Sequence, residues 1–180
     1  LYDSTKVKVL NSKPLRVDLQ GDSTRDILYA CCLVNRCDTI HAMVCHLPSM
    51  LGGSGASQWK RDMAKQVLQQ EVDSILSVQP SANIVVMGDM NSEPIDDLVG
   101  LINVTKYQEK EGHGTHKHQG IWSCLDQFYV SSYLLEGSSV RIYSPEWLLE
   151  EDTKYLDYKP KRTYVGYHYH DGYSDHLPIV

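Results

Sequence analysis

Four separated stretches of the chain each join an apolar run to a side chain that can hold a cation, move a proton or bind a phosphoryl oxygen. In Gly88-Asp89-Met90-Asn91, the Asp89 carboxylate can ligate a metal or its water. The Asn91 amide can hydrogen-bond a phosphate oxygen without adding negative charge. In Ser174-Asp175-His176-Leu177-Pro178, an imidazole beside a carboxylate can exchange protons near neutral pH. Leu125-Asp126-Gln127-Phe128-Tyr129-Val130-Ser131 opens a strand on an acid able to accept the second N–H of an imidazole and so orient it. His46-Leu47-Pro48-Ser49 directly follows another strand-like run, and its imidazole can donate to a phosphoryl oxygen. Singly, these stretches read as well as an Asx turn, a solvated strand-end acid or a loop histidine. Together they set Asp, Asn or His at the same kind of position, where α/β architectures gather residues distant in sequence into one rim.

The elements that must position these groups follow from hydrophobic periodicity. Asp26 to Val34 and Thr39 to Cys45 are strand-like and joined by Asn35-Arg36-Cys37-Asp38, which predicts a hairpin. Nearly every position in both is apolar, so both faces of their sheet are expected to be covered. After Gly52-Gly53-Ser54-Gly55, apolar residues at Trp59, Met63, Val67, Leu68, Val72, Ile75 and Leu76 trace a helical stripe, with Ser57 placed to cap its start and Pro80 just beyond its end. Asn83 to Met87 reads as a short buried strand. Pro94 with Asp96 and Asp97 reads as the start of a shorter helix whose dipole favours those acids. Further strands are expected at Gln127 to Val130, at Val140 to Tyr143 and at the C-terminus. The predicted class is mixed α/β, in one domain spanning residues 1–180.

Composition narrows the partners. A content of 42% hydrophobic and 22% charged residues suits a folded core rather than a disordered chain. The 17 basic against 23 acidic residues give a net charge of -6, a field that disfavours long duplex DNA relative to a small or lipid-like phosphate. A cation among the carboxylates would reverse that field locally. Cys31, Cys32, Cys37, Cys45 and Cys124 form neither a C-x-x-C pair nor an even-numbered framework, so free thiols in reducing surroundings are expected. The longest apolar run, Ile27 to Val34, is far shorter than the roughly 20 residues that cross a bilayer, and no transmembrane segment is expected. The chain opens on Leu1 without a leader pattern, so its natural start is expected upstream; a monomer is also expected.

Other polar groups read as structural. His113, His116, His118, His168 and His170 have no Cys or acid at tetrahedral zinc spacing and are expected to be loop histidines. Arg61 reads as a packing or surface residue. Lys159, Lys161 and Arg162, with Tyr164, Tyr167 and Tyr169, read as a solvated loop more than as a substrate-gripping wall.

From His46 to the end, the order and wording of these stretches resemble the endonuclease/exonuclease/phosphatase family. GDMN resembles that family's G-D-x-N, LDQFYVS its strand carrying the His-orienting Asp, and SDHLPI its closing S-D-H motif. The tract HLPS followed by Gly52-Gly53, and the tract Gly114 to Trp122, resemble a bacterial subgroup. The resemblance implies a four-layer α/β sandwich of two packed mixed β-sheets flanked by helices. It also implies that the chain is N-terminally incomplete, because the family's early Asn and metal-binding Glu have no counterpart and neither Glu71 nor Glu93 sits in a matching motif. By the same resemblance Asp89 binds or activates the attacking water and, with Asp175, contacts the metal. Asn91 holds a phosphoryl oxygen, His176 pairs with Asp126 and touches the phosphate, and His46 assists the leaving group.

The expected function is Mg²⁺- or Mn²⁺-dependent hydrolysis of a phosphodiester or phosphomonoester by in-line attack of water. The substrate would be a small molecule, a lipid head group or a nucleic acid. Two further readings stand beside it: a dinuclear metallophosphatase of another fold built on the His-rich loops, and a non-catalytic domain that binds phosphorylated ligands.

Overall fold

The expected hairpin forms from Ile27–Val34 (β2) and Asp38–His46 (β3), paired antiparallel. Its turn runs through Asn35 and Arg36, both at positive φ (50° and 62°), and closes with Cys37 N–H donating to Val34 C=O at 3.0 Å. Two successive left-handed residues match the twist of the flanking strands. The computed structural model describes residues 2–50, 52–94, 98–106, 108, 114–136 and 138–180. Val7–Leu15 (β1) flanks the hairpin, and Ser54–Val78 (α1) connects β3 to the parallel strand Asn83–Asp89 (β4). Ile102–Asn103 (β5) and Asp126–Val130 (β8) complete a mixed sheet of 6 strands in the order β1-β2-β3-β4-β8-β5. His116–His118 (β6) pairs with Ile121–Ser123 (β7), Leu149–Asp152 (β9) with Asp157–Pro160 (β10), and Tyr164–Val165 (β11) with His168–Tyr169 (β12), each as a separate ribbon. The class is α/β.

One face of the sheet is built for α1. Ala64, Leu68, Val72 and Ile75 follow one another at helical spacing and are buried against Tyr29, Met43, Cys45, Ile84, Val86 and Tyr129. Burying a leucine, valine or isoleucine side chain there contributes about 1.5–3 kcal/mol. The helix starts earlier than the sequence predicts. Gly53 occupies the cap position, and Ser57 lies a turn inside, donating its hydroxyl to Gly53 C=O at 3.0 Å. Trp59 falls off the buried stripe and is 44% exposed, whereas Arg61 is on it at 1%.

The opposite face corrects a second expectation. Its residues are apolar, yet Leu28 is 51% and Val44 43% exposed, so the described residues cover this face only in part. A groove of about 520 Å³ runs over it, lined by Ile40, Val85, Phe128, Val130, Val140 and Val180. Val140 to Tyr143 makes a short pairing rather than a full strand: around the Ile142–Ile179 bridge, Arg141 N–H donates to Val180 C=O (2.9 Å), Val180 N–H to Arg141 C=O (3.0 Å) and Tyr143 N–H to Pro178 C=O (2.8 Å). The expected helix beginning at Pro94 falls on Asp96 and Asp97, outside the described residues. All five cysteines are free, and no helix among the described residues is long and apolar enough to cross a membrane.

Gln127 locks β8 to its neighbours. Fully buried, it donates to Ser92 C=O (2.6 Å) and Cys124 C=O (3.2 Å) and accepts from Asn103 Nδ2 (2.9 Å) and the Tyr129 hydroxyl (2.8 Å). Gln127→Leu leaves these buried partners unsatisfied, and urea unfolding is expected to read a loss of about 2–4 kcal/mol. A loss below about 1 kcal/mol would mean that water replaces the amide.

Candidate active site

Register alone aligns three of the expected residues. Across the parallel pair β3–β4, His46 is the partner of Asp89; across the antiparallel pair β4–β8, Asp89 is the partner of Asp126. The strands end together, so the three side chains form one row at the sheet's rim. Backbone bonds hold the row where the strands give out: Leu47 N–H donates to Asp89 C=O and Met90 N–H to Leu125 C=O, both at 2.8 Å. Arg61 secures the loop after His46 from below. Its guanidinium donates to Pro48 C=O (3.3 Å), Ser49 C=O (3.4 Å) and the Ser57 hydroxyl (2.9 Å), which explains why a charge lies in the helix's buried stripe.

Asn91 turns back on this row through a left-handed backbone (φ 46°). Its N–H donates to Asp89 Oδ1 at 2.8 Å, and its side-chain amide donates to Leu47 C=O at 2.9 Å and to Asp89 Oδ2 at 3.2 Å. Burial pushes the Asp89 carboxyl above its usual range, and nearby Asp126 adds to this. The Asn91 N–H, His176 and His46 oppose it. His46 Nε2 stands 3.6 Å from Asp89 Oδ2, a charge contact rather than a hydrogen bond.

His176 arrives from the C-terminal segment. A bridge joins it to His116 in β6, and Leu177 N–H donates to Thr115 C=O at 2.7 Å. The Thr115 hydroxyl in turn accepts from Asp126 N–H at 3.1 Å, so this buried residue positions both halves of the pair. His176 Nδ1 and Asp126 Oδ2 lie 2.6 Å apart, which leaves Nε2 as the ring's other nitrogen. Burial alone would lower the His176 pKa, but the hydrogen bond and charge of Asp126, with Asp89 and Asp175, outweigh it and hold the pKa above the ordinary value. In Asp126→Asn that support is lost while the burial stays. Titration by imidazole NMR in chelator is expected to place His176 below its wild-type pKa. An unmoved pKa would mean that Asp126 does not orient the ring.

His46, Asp89, Asn91, Asp126, Asp175 and His176 all line one cleft of about 800 Å³. Sequence reasoning missed His116 and His118, which line the same cleft from β6 instead of sitting in loops. The alternation of β6 puts Lys117 on its other face, where its ammonium meets Asp157 Oδ2 at 2.7 Å. His116 packs against His176 with ring centroids 4.8 Å apart, and burial followed by the His176 charge pulls its pKa down to about 4. A strict alternation His-Lys-His between Gly114 and Trp122 was the available clue. His168 lies in β12, and His170 pairs with Glu150 at 2.7 Å; His113 is outside the described residues. Tyr164 and Tyr169 pack edge to face on the exposed β11–β12 hairpin. Glu71 pairs with Lys13 at 2.9 Å on α1, and Glu93 accepts Cys124 N–H at 3.4 Å.

The donor chemistry of the cleft fits a divalent cation. The Asp175 carboxylate is exposed and accepts no hydrogen bond among the described residues, and its oxygen lies within 4.8 Å of ring nitrogens of His116 and His176. The Asp89 carboxylate keeps lone pairs beyond those facing Asn91.

Among solved structures, the fold is similar to a truncated TDP2 from Caenorhabditis elegans, with a TM-score of 0.62 and 16% identity, covering 98% of this chain and 66% of that one. It is similar to a mannosyl-6-phosphatase from Bacteroides thetaiotaomicron, with a TM-score of 0.62 and 13% identity, covering 99% and 67%. It is also similar to the human Nocturnin catalytic domain with bound sulfate anion, with a TM-score of 0.55 and 16% identity, covering 77% and 52%. The chain thus spans about half of the Nocturnin domain and about two thirds of the other two. No curated protein matches it by sequence. The model of the Endonuclease/Exonuclease/phosphatase family matches residues 1–180, and the chain belongs to that family.

Proposed function

We propose that the chain carries the catalytic cleft of a divalent-metal-dependent phosphoesterase, hydrolysing a phosphodiester or phosphomonoester by in-line attack of water. The observation that carries this reading is the convergence of the His46–Asp89–Asp126 row with the His176–Asp126 pair in one cleft. Asp175 and Asp89 would hold Mg²⁺ or Mn²⁺, whose contribution is to neutralise charge gathering on the phosphoryl group. Asp89, its carboxyl pushed up by burial, takes a proton from the attacking water. Asn91, whose amide donates to Leu47 C=O and Asp89 Oδ2, would hold a phosphoryl oxygen by moving its amide off Asp89, and His176, oriented by Asp126, donates through Nε2 to the same group. His46, at the open end of the row, supports departure of the alcohol. The reading includes the family's four-layer sandwich, supported by the apolar sheet face that the described residues leave partly open. Membership in the family leaves no place for a phosphatase of another fold.

The substrate class is a small molecule, a lipid head group or a nucleic acid. Nicked DNA, a bis-aryl phosphodiester, phosphoinositides and sugar phosphates are assayed with Mg²⁺, with Mn²⁺ and with EDTA. Release that needs the cation is expected for at least one class, and the net charge of -6 favours the small or lipid-like phosphates. Equal release in EDTA, or none with any substrate, defeats the proposal. Retention of a phosphate ester without turnover would instead establish the binding-only reading.

A further inference from the structure

His116 completes a donor set that none of the G-D-x-N, Asp-strand and S-D-H stretches contains by itself. The ligand atoms of His116, Asp175 and His176 all lie within 4.8 Å of one another. Their approach is set by the backbone, because a bridge joins residues 116 and 176 and Leu177 N–H donates to Thr115 C=O at 2.7 Å. His176 Nδ1 is taken by Asp126 at 2.6 Å, so Nε2 is left to bind. A carboxylate on the far nitrogen is the arrangement that fixes ligating histidines in orientation. The His116 ring contacts the rings of His176 and His118 and makes no hydrogen bond among the described residues. Asp175 is exposed and can rotate. Metal–donor distances of about 2.0–2.1 Å place tetrahedral donors roughly 3.3 Å apart, within reach of small side-chain rotations.

Two imidazole nitrogens and one carboxylate oxygen suit zinc-class ions, whereas Mg²⁺ and Ca²⁺ take oxygen almost throughout. We propose that His116, Asp175 and His176 form a site for a zinc-class divalent ion inside the cleft. A consequence rests on the hydrolytic reading above. An ion held there occupies His176 Nε2 and the Asp175 carboxylate, and so opposes turnover supported by Mg²⁺.

The test titrates Co²⁺ and then Zn²⁺ into the metal-free chain, read by absorption and by calorimetry, with His116→Asn and His118→Asn alongside. Expected are uptake of a single ion with the visible bands of nitrogen-ligated Co²⁺, and displacement of Co²⁺ by Zn²⁺. In His116→Asn, affinity falls by more than the roughly 10–100-fold lost with an outer partner of a ligand. In His118→Asn it is unchanged. Circular dichroism checks the fold of each variant. Independently of any variant, sub-stoichiometric Co²⁺ is expected to broaden the His116 and His176 imidazole resonances of the wild-type chain. Undiminished affinity in folded His116→Asn, or imidazole signals that Co²⁺ leaves untouched, overturns the site. Zinc uptake through His116 in a chain that hydrolyses nothing with Mg²⁺ supports the site and counts against the hydrolytic reading. Hydrolysis with Mg²⁺ and no zinc uptake does the reverse.

Discussion

Replacing His176 or Asp89 by Ala is expected to remove turnover while leaving the fold in place. In the proposed mechanism His176 contributes a donor to the phosphoryl group, and loss of one such donor costs about 10²–10³ in kcat. Asp89 would contribute proton transfer in the same mechanism, worth about 10²–10⁴, and its two oxygens hold the Asn91 N–H and side-chain amide. Its loss therefore disorders a second group, and Asp89→Ala should be the more damaging. Asp89→Asn separates the two effects in part, because its single amide oxygen keeps one of the two Asn91 bonds while the base is gone. Both side chains face the cleft, so unfolding midpoints should stay close to wild type. The measurement is kcat on whichever substrate is cleaved, with circular dichroism and melting run in parallel. Activity within about tenfold of wild type in either alanine variant would remove that residue from the chemistry.

How much of this site was legible beforehand depends on whether the cue was local. Asp89, Asp126 and His46 each adjoin an apolar strand, and that pattern lies within a few residues of each. Their alignment is a matter of register, which pairs His46 with Asp89 and Asp89 with Asp126 and which periodicity does not encode. His116 was misread because its partners Asp175 and His176 are remote in sequence, and ligand-spacing rules see only near neighbours. For Arg61 the sequence left packing and surface exposure both open, because charge usually marks an exposed helix face; the structure buries it. Here four acceptors, from Pro48, Ser49, Ser57 and Gln58, receive its two terminal nitrogens in the core. Val140 to Tyr143 has strand-like composition and does pair with the C-terminal segment, but through only three backbone bonds around the Ile142–Ile179 bridge, too short a run to build a ladder. The continuous apolar pattern of β2 and β3 did identify a sheet with two apolar faces. What it could not state is which face α1 takes and which the described residues leave partly open.

Gly88→Ala is expected to break the platform on which the site stands. Gly88 lies at φ +134°, a conformation that L side chains rarely adopt, and a Cβ there would sit 1.9 Å from the carbonyl oxygen of Cys45. The neighbour is backbone, so nothing flexible can yield; Cys45 and Gly88 are themselves partners in the parallel β3–β4 pair. Relief requires the strands to separate at the step just before His46 and Asp89. Combined backbone strain and overpacking put the cost at about 3–5 kcal/mol. In a domain of this size that lowers Tm by roughly 10 °C. Gly55→Ala is the contrasting case. Gly55 lies in α1, with nothing within 4 Å of an added Cβ, and the change should stabilise by about 0.4–1 kcal/mol through the unfolded chain. Differential scanning calorimetry on the two variants reads both signs. If Gly88→Ala melts within a few degrees of wild type, the close approach of the two strands does not hold. If it melts early yet keeps full turnover, the geometry of Asp89 does not depend on the β3–β4 register, and the row of His46, Asp89 and Asp126 loses its role as the frame of the chemistry.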